Sequence, residues 1–224
     1  MTRRPIILAS LLALSLTGVA SEAAARPKSI NSCTTITKPG AYVVARNING
    51  SAAAGDCIVI DQSHVTLNLG GMVIAGPGAF GGIAGGHGVH VIGTNSNVEV
   101  RNGTVVGWTS GVVADPSVVG IIVERVRAID NAGVGINVLG DDAILTRNYA
   151  TLNDNFGILF GSGALVMRNV TNGNTGGTGA GMQGECDSVV MFNTSVGNSG
   201  TDLSITGSAV DVNCVVKDNA TTSP

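Results

Sequence analysis

The sequence predicts an all-β solenoid of about seven rungs, and three observations predict it. A repeat of roughly 21 to 24 residues runs from about Gly88 to the C-terminus. Its segments superimpose as GVHV…NVEVRN, GVVA…GIIVER, GINV…AILTRN, GILF…ALVMRN, GMQG…SVVMFN and DLSI…AVDVNC. Within each segment, short runs alternate apolar and polar side chains with a period of two, the mark of a half-buried strand. Polar turn residues then recur in columns after the second strand of each segment. One such rung cannot bury its apolar face alone, whereas stacked rungs share a continuous core.

Taken in chain order, residues 1–25 read as an export signal. Arg3 and Arg4 precede an apolar run from Ile6 to Val19, and Ala23-Ala24-Ala25 supplies small residues for cleavage. The run is shorter than the roughly 20 residues a membrane-spanning helix needs, so no membrane span is expected after cleavage. A secreted or periplasmic, bacterial location follows. Residues 26–56 differ in pattern from the repeat and read as an N-terminal cap, with two short strands paired around Pro39-Gly40. Cys33 and Cys57 flank this region and are expected to be disulfide-bonded in an exported chain. Cys186 and Cys214 are left open: they are near in sequence, yet the register separates them by a strand.

The solenoid proper is placed at 57–219. Its first rung runs from Cys57-Ile58-Val59-Ile60 through Val65–Leu69 to Val73–Gly76, and Gly76–Gly88 reads as a glycine-rich surface loop. The first strands of the later rungs point Val89 and Val91, Val112 and Ala114, Ile136 and Val138, Ile158 and Phe160, and Leu203 and Ile205 inward. The second strands are assigned Val98 and Val100, Ile121 and Val123, Ile144 and Thr146, Leu165 and Met167, Val189 and Met191, and Val210 and Val212. Residues 220–224 form a polar tail. Two turn columns follow: Asn102, Arg125, Asn148, Asn169, Asn193 and Cys214, then Gly107, Asp130, Asn153, Asn174, Asn198 and Asn219. Asparagine tolerates left-handed backbone, and its amide pairs with the equivalent group one rung away. Asn102, Asn148, Asn169, Asn193, Asn153, Asn174 and Asn198 are therefore read as a structural ladder.

Composition excludes some functions. Charged residues are 12% of the chain, the formal net charge is −3 and aromatic residues are 3%. A nucleic-acid partner needs a basic face or stacking platforms, and neither is present.

The cap followed by CIVID…VTLNLGG…GVHV…NVEVRNGTVVGW closely resembles exported bacterial β-helix-repeat proteins, the pectate-lyase-like superfamily in the broad sense. The resemblance implies a single-stranded, right-handed parallel β-helix. It also implies a carbohydrate-associated role and a ligand face on the outer side of the first strands. That fold hosts lyases, hydrolases, epimerases, binding modules and adhesins, so activity must be argued from the site.

Outward on that face stand His90, Val113, Asn137, Leu159 and Gln183, with Trp108 in the adjacent turn. A sugar can stack on an indole ring, and Arg125, Arg147 and Arg168 offer charge for uronate carboxylates. His90, Asn137, Gln183, Trp108 and Arg147 are the candidate ligand contacts. Asp130 and Asp154 are the candidate catalytic carboxylates, because paired acids serve glycoside hydrolysis. Gly86-His87-Gly88 and Asp141-Asp142 resemble polygalacturonase motifs only in reversed order, and read as a loop with an exposed histidine and a polar turn. No metal site is expected: there is no CxxC, and His87 and His90 lack a third ligand in the sequence. No cofactor is implied, except calcium under a lyase reading. The sequence thus favours a carbohydrate-binding or structural protein, with a polysaccharide lyase or hydrolase as one alternative and an adhesion or assembly protein as another.

Overall fold

The computed structural model describes residues 26–51, 55–82, 84–176, 179–207 and 214–222. The expected export segment, residues 1–25, lies outside them. The chain forms a parallel β-solenoid of about seven turns. Two continuous sheets run its length. The eight-stranded sheet stacks Thr34–Ile36, Ile58–Ile60, His87–Val91, Ser110–Ala114, Ile136–Val138, Ile158–Phe160, Gly179–Glu185 and Thr201–Thr206. The fifteen-stranded sheet holds two rows of strands. Val98–Val106 and Ile122–Ile129 are long enough to belong to both rows and join them.

Apolar columns fill the interior. Ile58, Val89, Val112, Ile136, Ile158 and Met182 pair in register from turn to turn, and each is at most 1% exposed. Burial of each such side chain contributes roughly 1.5–3 kcal/mol, offset by the entropy of ordering the chain. Thr34–Ile36 and Gly40–Val44 belong to different sheets and do not pair with each other: the first pairs with Ile58–Ile60 and the second with Lys28–Ile30 and Val65–Asn68. Pro39-Gly40 is therefore a corner between sheets rather than a hairpin turn. Cys33 and Cys57 are disulfide-bonded across this first turn.

The second-strand register differs from the sequence reading beyond residue 140. Ile144, Thr146, Leu165, Met167, Val189 and Met191 are only partly covered, while Ala143, Leu145, Ala164, Val166 and Val190 are the buried side chains. A slip of one residue inverts every side chain of a strand. Its origin is the turn. Asn102, Arg125, Arg147, Arg168, Phe192 and Asp218 share left-handed backbone, with φ between 53° and 58°. Asn102 is thus equivalent to Arg147, and Asn148 falls one place later. In the last turn, Val215–Lys217 continues the sheet beside Val189–Met191, and the expected strand at Val210 and Val212 lies outside the described residues.

Two asparagine columns are hydrogen-bonded from turn to turn. In one, Asn148, Asn169 and Asn193 each donate a backbone N–H to the side-chain oxygen of the next, and the column ends on Asn219. In the other, Asn131, Asn153, Asn174 and Asn198 do the same, with the side-chain amides linked as well. Asn102 stands outside both, with its amide nitrogen 3.4 Å from Asn68 Oδ1. Asn131, rather than Asp130, opens the second column, and buried Asp202 accepts from Asn198 at its far end.

Candidate functional site

The outer face of the eight-stranded sheet carries one concentrated set of ionisable groups near its N-terminal end. Three successive turns build it. Asp56 stands immediately before the strand Ile58–Ile60, beside the disulfide-bonded Cys57. His87 and His90 lie on His87–Val91, and Asp115 follows Ser110–Ala114. Register aligns His90 with Val59 on one side and Val113 on the other.

His90 bridges the two acids. Its Nδ1 is 2.6 Å from Asp56 Oδ2, and its Nε2 is 3.0 Å from Asp115 Oδ1. Both carboxylates are themselves held. Asp56 Oδ1 accepts the backbone N–H of His87 at 2.7 Å, and Asp115 Oδ2 accepts that of Gly93 at 2.8 Å. The His87 ring meets His90 edge-on, with centroids 5.0 Å apart and planes at 84°. Its Nδ1 is buried and has no hydrogen-bond partner. In a regular strand, side chains three apart point to opposite faces. These two rings meet because Gly88 and Val89 are both buried, which breaks the alternation at the start of the strand.

The electrostatics separate the two imidazoles. Burial lowers the pKa of His87, and the neighbouring His90 adds to this against the attraction of Asp56 and Asp115. Burial also works against charge on His90, but its hydrogen bonds to Asp56 and Asp115 outweigh it and raise the pKa. Asp115 is held below the usual carboxylate range: partial burial opposes this, and the Gly93 N–H and the His90 contact overcome it. His90, between two carboxylates, thus holds a proton more firmly than an ordinary histidine, and His87 beside it less firmly. The arrangement provides a proton donor and a proton acceptor in contact, and it presents oxygen and nitrogen lone pairs to a cation.

The sequence candidates divide around this cluster. His90 is at its centre. Asn137 and Gln183 lie further along the same outward column, paired through Leu159. Trp108 does not line the face. It is fully buried, its Nε1 donates to Ile74 O at 3.1 Å, and Gly50 and Gly76 pack against the ring so closely that a Cβ would fall 2.5 and 2.6 Å from it. The indole thus has no open face for a sugar, and the glycine-rich segments before His87 are part of its enclosure. Arg147 belongs to the corner after a strand of the other sheet, where it pairs with Glu124 Oε1 at 2.9 Å. Asp130 and Asp154 are exposed and out of step: Asp130 follows Ile129, which is level with Thr151, whereas Asp154 bonds back to Asn131. His87 is half-buried rather than a loop histidine.

Asp56 and Asp115 were not candidates in the sequence. The signal for Asp115 was its place directly after an alternating strand that pairs with His90. Asp56 was hidden by the loop insertion that separates it from His87 by 31 residues. The chain matches no family model, no curated protein and no solved structure.

Proposed function

We propose that the protein is exported and carbohydrate-associated, and that it holds a neutral polysaccharide strand along the outer face of the eight-stranded sheet. The observation that carries this reading is the outward column Val59, His90, Val113, Asn137, Leu159 and Gln183, in register over six strands. Apolar and hydrogen-bonding side chains alternate along it at the strand spacing of about 4.8 Å. A pyranose ring offers matching chemistry, with C–H faces for the partly exposed Val59 and Leu159 and hydroxyls for His90, Asn137 and Gln183. A neutral glycan is favoured over a uronate because Asp56 and Asp115 flank His90, while Arg147 faces another sheet and is paired. The disulfide supports an oxidising compartment. Among the described residues no helix is long and apolar enough to cross a membrane.

A second reading, a glycan-cleaving enzyme, is favoured by one observation: His90 held between two carboxylates and in contact with His87. General acid and base catalysis needs two groups of unlike proton affinity within reach of one bond. A single experiment tests both. The protein is run through gels containing neutral or acidic polysaccharides, and the same mixtures are assayed for new reducing ends and unsaturated products. Retardation by a neutral glycan that is lost in Asn137→Ala and Leu159→Lys supports binding. Product formation abolished by His90→Ala replaces it with the enzyme. Neither retardation nor product with any glycan refutes the carbohydrate reading.

A further inference from the structure

The cluster Asp56, His87 and His90 has a property that neither glycan binding nor acid–base chemistry requires. One carboxylate oxygen of Asp56 and one ring nitrogen from each histidine lie within 4.8 Å of one another. We propose that these three residues bind a zinc ion, with Asp115 as the partner that orients His90. The inference rests on this geometry alone and stands whether or not a glycan binds.

Four features favour a metal over a mere ion pair. The donor set is two imidazoles and one carboxylate, the nitrogen and oxygen ligands that zinc takes, and three protein ligands leave a fourth tetrahedral position for water. Late first-row divalent ions share this preference, whereas calcium and magnesium favour oxygen alone. The second feature is Asp115. Metal-bound histidines donate their other ring N–H to a carboxylate, which fixes the tautomer. His90 Nε2 faces Asp115 Oδ1 at 3.0 Å, and Asp115 is itself anchored by Gly93 N–H. That contact leaves Nδ1, the nitrogen facing Asp56, to bind the ion.

The third feature is the buried, unpartnered Nδ1 of His87. An unsatisfied polar atom at a half-buried position costs stability, and a cation in the cluster gives this imidazole a role. The fourth is charge. Asp56 and Asp115 bring two carboxylates to the cluster, and a divalent ion bound by neutral imidazoles balances them. Zinc ligands at about 2.0–2.1 Å from the metal lie roughly 3.3 Å apart in a tetrahedron. The 2.6 Å Asp56–His90 contact must therefore open by about 0.7 Å, and donors as far as 4.8 Å apart must close by up to about 1.5 Å, both side-chain adjustments.

The test is zinc binding to untagged protein stripped with chelator, followed by titration calorimetry. One equivalent per chain, with Kd of about 10 μM or tighter, is expected. His87→Ala should weaken binding at least tenfold. Asp115→Asn should weaken it by about 10–100-fold while leaving all three ligands in place. His64→Ala should leave it unchanged, since His64 contacts Asn97 at another corner. Circular dichroism confirms that each variant is folded. For a variant that is not, the wild-type protein decides: in ¹⁵N spectra of its three histidines, zinc should shift His87 and His90 and spare His64. Binding weaker than about 1 mM, equal affinity in the folded His87→Ala/His90→Ala double variant, or shifts confined to His64 would overturn the proposal.

Discussion

Asn153→Ala removes one link of the buried amide ladder and measures how strongly the ladder couples neighbouring turns. Asn153 is wholly buried. Its Oδ1 accepts the backbone N–H of Asn131 at 3.2 Å and the Asn131 side-chain amide at 2.8 Å. Its Nδ2 donates to Asn174 Oδ1 at 2.9 Å and to Ala128 O at 3.2 Å. Alanine strands both Asn131 donors, whereas Asn174 Oδ1 keeps the Asn153 backbone N–H at 3.0 Å. A stranded buried donor costs about 1–3 kcal/mol, and a water entering the vacated space recovers part of that. The expected loss is about 2–4 kcal/mol. Urea unfolding followed by circular dichroism reads the total, with the exposed Asn172→Ala as a control expected within about 0.5 kcal/mol of wild type. Because each turn contacts only its neighbours, amide exchange should accelerate first at Asn131, by at least about tenfold for each 1.4 kcal/mol lost locally. A variant as stable as the Asn172→Ala control, or an Asn131 amide still fully protected, would refute the claim that the ladder couples the turns.

Further outcomes follow from the same structure. Trp108, the only tryptophan, should emit at short wavelength and resist acrylamide quenching without change on adding glycan, and Trp108→Ala should cost about 3–5 kcal/mol in urea unfolding. Replacing Cys33 and Cys57 by serine opens a loop with a sequence separation of 24 and should lower stability by about 3 kcal/mol. In metal-free protein, the two imidazoles should titrate on opposite sides of 6.5, with His90 above and His87 below. Protonation of His90 is favoured by folding and that of His87 opposed, so Asp115→Asn should lower the His90 midpoint in ¹H–¹⁵N spectra. Asp130→Asn and Asp154→Asn should leave glycan retardation and any turnover unchanged, because both lie away from the cluster.

The solenoid was legible because its signal is repeated. The inward columns Val89, Val112, Ile136 and Ile158 follow directly from period-two alternation after a glycine, and each is buried. The second strands were less legible for a specific reason. Asn102 and Asn148 both follow an arginine, which invites aligning them, but backbone handedness aligns Asn102 with Arg147 instead. A left-handed arginine breaks no visible rule of composition, so the one-residue slip and the inverted strand faces were invisible without φ angles. The same slip misplaced Asp130 for Asn131 in the second ladder. Trp108, a lone indole in a turn, could be read as packing or as a sugar contact, and what decides for packing, Gly50 and Gly76 pressed against the ring, lay in glycines that looked like loop.

The site was hidden by the insertion that creates it. A perfectly periodic solenoid repeats one side-chain type along each outward column, and repetition alone does not concentrate unlike groups. Between Asp56 and His87 the period stretches to 31 residues, and the added segment folds over Trp108 before delivering His87 to the start of its strand. The buried Gly88-Val89 pair then turns His87 toward His90 rather than away from it. Asp115 arrives from the next turn, 25 residues beyond His90, without any insertion. Two of the four groups thus depend on the break in the repeat and two on its regularity. Shortening the segment between Gly76 and Gly86 should therefore disperse the His87–Asp56 contact, while the asparagine columns beyond residue 130, which share no turn with it, keep their hydrogen bonds.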